Sequence, residues 1–213
     1  MNARWMCIVA IAMLFTGSVS AVAQEPPVRR ERSGERSGFW LRGNFGMGYA
    51  SFSSDEAKIT GAAAVGAISV GKFFSDDFVG FVDIVVSSIT GPTFKMGGRT
   101  VTADEDITSL VGGIGIGVGY YLVPSSLFLG GSLSIATLSL EADNDKVAET
   151  DPGLAGSLIL GKDFVISDKW ALGVAGHLIL GTMTDKGGEP RWTASAGGLS
   201  FTFSFAPDRW DRR

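Results

Sequence analysis

From residue 38 onward, apolar residues recur at every second position, the period of a β-strand with two chemically different faces. The cleanest case is the first: Phe39, Leu41, Phe45, Met47 and Tyr49 alternate with Trp40, Arg42, Asn44, Gly46, Gly48 and Ala50. Seven further stretches follow, near 61–74, 78–90, 108–122, 126–140, 153–166, 169–184 and 192–206. In the second, Ala and Gly blur the alternation. The fourth is sharp, with Ile114, Ile116, Val118 and Tyr120 on one face and Gly113, Gly115, Gly117 and Gly119 on the other. In the fifth, Leu138 and Leu140 fall out of phase with Leu127, Leu129, Leu133 and Ile135, which predicts a β-bulge.

Three short polar turns of similar recipe join these stretches in pairs: Gly71-Lys72-Phe73-Phe74-Ser75-Asp76-Asp77-Phe78, Gly119-Tyr120-Tyr121-Leu122-Val123-Pro124-Ser125-Ser126-Leu127-Phe128 and Gly161-Lys162-Asp163-Phe164-Val165-Ile166-Ser167-Asp168-Lys169-Trp170. Longer hydrophilic connections alternate with them. An even count of strands with alternating long and short connections predicts an all-β fold, an eight-stranded antiparallel up-and-down barrel that crosses a membrane. Aromatic residues cluster beside the short turns, at Phe39, Trp40, Phe73, Phe74, Phe78, Tyr120, Tyr121, Phe128, Phe164, Trp170, Phe203 and Phe205. Tyr49, Phe52 and Trp192 stand near the far end. These read as two interfacial girdles. Lys72 and Lys162 share a face with apolar residues, but both sit beside short turns, where a lipid-facing charge costs only ~0–1 kcal/mol.

Composition agrees with a membrane barrel. The chain is 45% hydrophobic, only 19% charged, and carries 30 glycines. Arg4, an apolar run over residues 5–15 and the small-residue site Ala21-Val22-Ala23 have the grammar of a secretory signal peptide over 1–23. Residues 24–37, rich in Arg, Pro and Ser-Gly, are expected to be a flexible periplasmic tail. The barrel is assigned to 38–206 and a second periplasmic tail to 207–213. Cys7 lies in the leader, so the mature chain has no thiol for a disulfide, a metal or a nucleophile. No cofactor is expected. The formal charge of -4 argues against nucleic acid as a partner.

Taken together, the strands and turns of residues 38–206 resemble the small outer-membrane barrels of Gram-negative bacteria, of the OmpA transmembrane-domain, OmpX and OmpW kind. The resemblance implies an outer-membrane location with both termini periplasmic, contact with outer-membrane lipid and lipopolysaccharide, and insertion by the barrel-assembly machinery. Such chains often end on an aromatic residue read during assembly. Here Phe205 is followed by eight more residues, so either the signal is internal, ending at Phe205, or the last strand ends elsewhere than at 206.

Candidate chemistry is sparse. His177, the single histidine, falls on the inward face of the seventh strand with Ala171, Gly173 and Ala175, and is expected to be an internal hydrogen-bonded histidine. Barrel lipid hydrolases pair a His with a Ser two residues on, and here that position is Ile179. Arg42, Asp83 and Asp163 are also assigned to the lumen. Arg42 and Asp83 read either as an ion-pair gate or as a polar plug that satisfies buried charge, the plug being favoured. The acidic loop with Glu141, Asp143, Asn144, Asp145, Glu149 and Asp151 lacks the Gly and distal Glu of a calcium loop. The row Gly113, Gly115, Gly117 and Gly119 leaves two alternatives. Either the lumen holds water or a small molecule, or Trp40, Arg42, Phe81, Phe128 and His177 lean across and fill it.

The expected role is non-enzymatic, either structural and surface-interactive or a narrow conduit for small solutes, with a small solute or extracellular ligand as partner. The alternatives are a lipid-modifying barrel enzyme and a soluble calyx. A calyx needs a greasy interior and a polar exterior, the reverse of this pattern.

Overall fold

The computed structural model describes residues 38–207 apart from 105, 123–124 and 143–144. The signal peptide, the first tail and all but the first residue of the second tail lie outside the described residues. Eleven antiparallel strands form one sheet: β1 (Phe39–Ser53), β2 (Ala57–Phe73), β3 (Phe78–Thr90), β4 (Thr93–Met96), β5 (Arg99–Thr102), β6 (Ile107–Leu122), β7 (Leu127–Ala142), β8 (Asp145–Glu149), β9 (Asp151–Val165), β10 (Trp170–Thr184) and β11 (Arg191–Phe205). Three pairs are consecutive segments of single bulged staves. Strands β3 and β4 both pair with β2, β8 and β9 both pair with β7, and β5 and β6 pair with β4 and β3 in turn. The staves number eight, and β1 pairs with β11 from Leu41↔Phe205 to Ser53↔Thr193, which closes the barrel.

Hydrogen-bonded partners define the stagger. From Phe128 the row runs through Gly161, Ala175, Ser200, Gly46, Val65, Ser87 and Val111 and returns to β7 at Leu138, ten residues beyond its start. A stagger of that size in eight strands tilts each by roughly 40° and leaves a lumen just wide enough for side chains to fill. One end of the barrel carries the short turns. At two of them a serine caps the bend, Ser75 Oγ accepting from Phe78 N–H and Ser167 Oγ from Trp170 N–H, both at 3.2 Å. This is the physical content of their shared recipe. At the opposite end the staves run on as hairpins, and Gly97 and Gly98 at φ +55° and +76° form the tight bend between β4 and β5.

Outward positions form a continuous apolar belt. On β10 it runs from Trp170 through Leu172, Val174 and Leu178 to Leu180, matching the ~9–11 residues with which a tilted strand spans a bilayer. Met47, Leu133, Ile116 and Leu154 are each at least 70% exposed, which in water would be untenable for so many large apolar groups together. Lys72 and Lys162 face outward at the short-turn edge.

Two expectations about the strands are corrected. The second stave begins at Ala57, earlier than the Ala- and Gly-blurred alternation indicates. Its first residues pair with both β1 and β4. The fifth carries no bulge against its predecessor, because the β6–β7 register is unbroken from Leu122↔Leu127 to Ile107↔Ala142. Leu138 keeps its inward parity and joins an apolar layer inside the barrel, and the irregularities fall against β8 and between β9 and β10.

A charge at the middle of the belt should cost far more than the lysines at its edge. Leu133→Arg is expected to lower unfolding stability in lipid vesicles by ~2–4 kcal/mol, read by urea titration, whereas Lys162→Ala should change it by under ~1 kcal/mol.

Candidate functional site

Among the described residues the buried polar and charged side chains lie inside the barrel, between two apolar layers. At the short-turn end Trp40, Phe73, Val79, Tyr121, Phe128, Ile159, Ala171, Ala175 and Ala206 pack together. At the hairpin end Phe52, Ile59, Ile89, Val111, Leu138, Ile179 and Met183, interleaved with alanines, make a second apolar cluster. Between them on β1, β3, β7 and β10 stand Asn44, Asp83, Ser132, Ser134 and His177, all buried.

Arg42 and Asp163 join across the lowest layer. Arg42 Nη1 donates to Asp163 Oδ2 at 2.7 Å and to Oδ1 at 3.0 Å, and both side chains are 1% exposed or less. Asp163 also accepts from Tyr121 OH at 3.1 Å, Ser204 Oγ at 3.2 Å and Thr202 Oγ1 at 3.3 Å. Trp40 Nε1 donates to the Tyr121 hydroxyl at 3.2 Å. The guanidinium carbon stands 4.4 Å from the centre of the Phe128 ring, and Trp40 stacks on Phe128 at 5.8 Å and meets Phe81 in a tilted contact at 5.4 Å. One carboxylate thus collects donors from β1, β6 and β11, and rings close the space around it. A buried ion pair survives desolvation only when its remaining hydrogen-bonding capacity is met, as it is for Asp163.

Several expected placements change. Arg42 pairs with Asp163, not with Asp83, whose Oδ2 accepts from Ser132 Oγ at 2.7 Å. Parity fixes only that both carboxylates face inward, and the stagger sets which one stands at the guanidinium's level. His177 is buried and inward, yet among the described residues neither ring nitrogen has a hydrogen-bond partner, so it is not the hydrogen-bonded residue expected. Its row places it opposite Gly198 and Ile159, which offer no side-chain acceptor. Trp192 packs against the inner apolar cluster and is no girdle residue, because even positions on β11 face the lumen. Phe52, Trp40, Phe73, Tyr121 and Phe128 turn inward by the same parity rule.

Of the expected girdle residues, Phe39, Tyr49, Phe74, Phe78, Tyr120, Phe164 and Trp170 are exposed on the outer face, and Phe205 is half-buried among them. Phe205 lies between Trp170 and Phe39, at 4.7 and 6.2 Å. The glycine row of β6 faces inward. A Cβ on Gly117 would strike the Phe81 ring and one on Gly119 the Phe128 ring, so here the row makes room for large side chains. Of the two alternatives for the lumen, filling by side chains holds at the short-turn end. Asp143 and Asn144 lie outside the described residues, and among the described residues no three His, Cys, Asp or Glu side chains gather into a metal-binding group.

A closed barrel with an apolar belt and a packed lumen is matched by the family model for the outer membrane protein beta-barrel domain over residues 9–203. The chain belongs to this outer-membrane family. Among solved structures it is similar to the Neisserial surface protein A, with a TM-score of 0.54 and 14% identity over 78% of this chain and 96% of that one. Similarity is also found to the outer membrane protein OprG from Pseudomonas aeruginosa, at a TM-score of 0.41 and 14% identity over 81% and 94%. A third is the outer membrane protease OmpT from Escherichia coli, at 0.42 and 6% identity over 79% and 96%. No curated protein sequence matches the chain.

Removing Arg42 strands a buried carboxylate. Arg42→Ala is expected to destabilise the barrel by roughly 3–5 kcal/mol, and Asp163→Ala by a similar amount through the stranded guanidinium, read by urea titration in micelles. A loss below 1 kcal/mol for both would show that the pair does not hold the layer together.

Proposed function

We propose that this protein is a non-enzymatic outer-membrane barrel of a Gram-negative bacterium that works through its outer surfaces while its lumen stays shut. The observation that carries this reading is the plug of Trp40, Arg42, Tyr121, Phe128 and Asp163, each almost wholly buried across the short-turn end. A second apolar layer backs it at the hairpin end. A solute would have to displace a multiply hydrogen-bonded ion pair and then a dry layer of side chains. Catalysis finds no support either, since His177 has no base, nucleophile or acid hydrogen-bonded to it among the described residues.

In this reading the short-turn end and both termini are periplasmic, and the hairpins project outside the cell. The outward aromatic and aliphatic rows of β11, Leu199, Phe201, Phe203 and Phe205, serve as the internal signal for the barrel-assembly machinery, and the belt contacts lipid and lipopolysaccharide. Extracellular partners meet the hairpins. One of these carries exposed Lys95, Arg99, Thr100 and Thr102; the other carries the Lys146–Glu149 pair at 2.7 Å, with Lys186 of the neighbouring connection 3.6 Å from Glu149. Hydrogen bonding and charge from Lys146 hold the half-buried Glu149 carboxyl below the ordinary carboxylate range. The hairpin surface therefore keeps its charge pattern into mildly acidic conditions.

Single-channel recording in a planar bilayer tests the shut lumen. The barrel should insert without discrete current steps in molar salt, and Arg42→Ala should raise its baseline conductance. A regular unit conductance in the unaltered protein would instead favour the narrow-conduit reading.

A further inference from the structure

Arg42 engages Asp163 with one corner of its guanidinium only. Nη1 donates to both Asp163 oxygens and to Ser204 Oγ at 2.9 Å, while Nε and Nη2, on a residue 1% exposed, have no protein partner among the described residues. Asp83 is in the complementary condition. Its Oδ2 is engaged by Ser132, and its Oδ1, on a residue 2% exposed, has no partner. The register sets the two in a single row, for Arg42 pairs with Ser69 on β2 and Ser69 pairs with Asp83 on β3. A cavity of about 10 Å³ is lined by these three residues together with Ser157 and the rings of Trp40, Phe81 and Phe128.

That volume suits one water, which needs about two to four polar partners. A guanidinium edge, a carboxylate oxygen and serine hydroxyls on the lining supply them. Ions fit worse than water, since a cation would face Arg42 and an anion would face Asp83. Organic solutes are too large. Leaving the Nε–Nη2 edge of Arg42 and Oδ1 of Asp83 without partners is the kind of buried dissatisfaction that native interiors avoid.

We propose that the cavity is a binding site for one structural water, which accepts a hydrogen bond from the Arg42 guanidinium and donates one to Asp83 Oδ1. Arg42 is then held between two carboxylates, directly by Asp163 and through the water by Asp83. Asp83 becomes a positioning residue of the plug.

The test is a thermal-unfolding series on the mature barrel in detergent micelles. Ser69→Val puts an extra methyl group into the cavity. If a water sits there, the substitution expels it, strips Arg42 and Asp83 of their shared partner, and lowers Tm by roughly 4–8 °C. Filling a dry cavity would raise Tm instead, and that result overturns the proposal. Asp83→Asn combined with Ser69→Val should fall no further than Ser69→Val alone, because both act through one molecule, whereas additive losses count against the site. Should Ser69→Val fail to fold, a crystal structure of the unaltered barrel at a resolution that shows ordered water decides the matter: a density peak bridging Arg42 and Asp83 supports it, and a flat map refutes it.

Discussion

Hydrocarbon offers a backbone amide no partner, so each strand inside a bilayer must be hydrogen-bonded on both edges. Here that requirement is met by the pairing of β1 with β11 along thirteen register positions. Closure constrains more than the backbone. With eight staves, the return of the row from Phe128 to Leu138 sets the strand tilt, the tilt sets the bore, and the bore determines which inward side chains can touch. The layered interior is a consequence of that one geometric condition.

Within the bore, the ion pair's value lies in geometry more than in net energy. Replacing a buried pair by apolar groups of similar volume is often neutral, whereas removing one partner is costly. Arg42 and Asp163 therefore lock a specific arrangement: β1, β6, β9 and β11 meet at a single carboxylate, Phe128 lies against the guanidinium, and Trp40 and Tyr121 pack on Phe128. A lumen filled by aliphatic residues alone would exclude solutes equally well, but with several interchangeable packings. The polar contacts select one.

Much of this was legible from residue order alone. Alternation on β1, β6 and β10 is strong enough to assign faces, since Leu, Ile and Val rows stand against Gly, Ala and Ser. It placed Arg42, Asp83, Asp163 and His177 inside. What period-two patterning does not carry is height. Arg42 lies in a hydrogen-bonded row with Ser69 and Asp83, yet its salt bridge goes to Asp163 on β9, because the stagger makes a row climb as it passes round the barrel. Aromatic residues beside a turn are equally ambiguous until parity is applied. Trp40 and Phe39 are neighbours in sequence, and one fills the lumen while the other faces outward. Trp192 was misplaced for the same reason, as was the phase change at Leu138, where an inward row passes from small polar residues to an apolar cap.

The abundance of glycine now has a steric explanation that bears on function. Small inward residues suggest an open bore only if nothing faces them. On β6, Gly117 and Gly119 lie under the rings of Phe81 and Phe128, and across the barrel Gly161 gives the Arg42 guanidinium room, an added Cβ there coming within 3.2 Å of Nη2. At Gly117 and Gly119 the missing side chain is matched by a large one from a neighbouring stave, whereas Gly113 and Gly115 lie against Ala136 and Ser134. Such complementarity is sensitive in one direction: a methyl group added at Gly119 must push the Phe128 ring, against which both Tyr121 and the Arg42 guanidinium pack. The glycine row is therefore part of the seal, and its smallness is what allows the ion pair to sit at the centre of the bore.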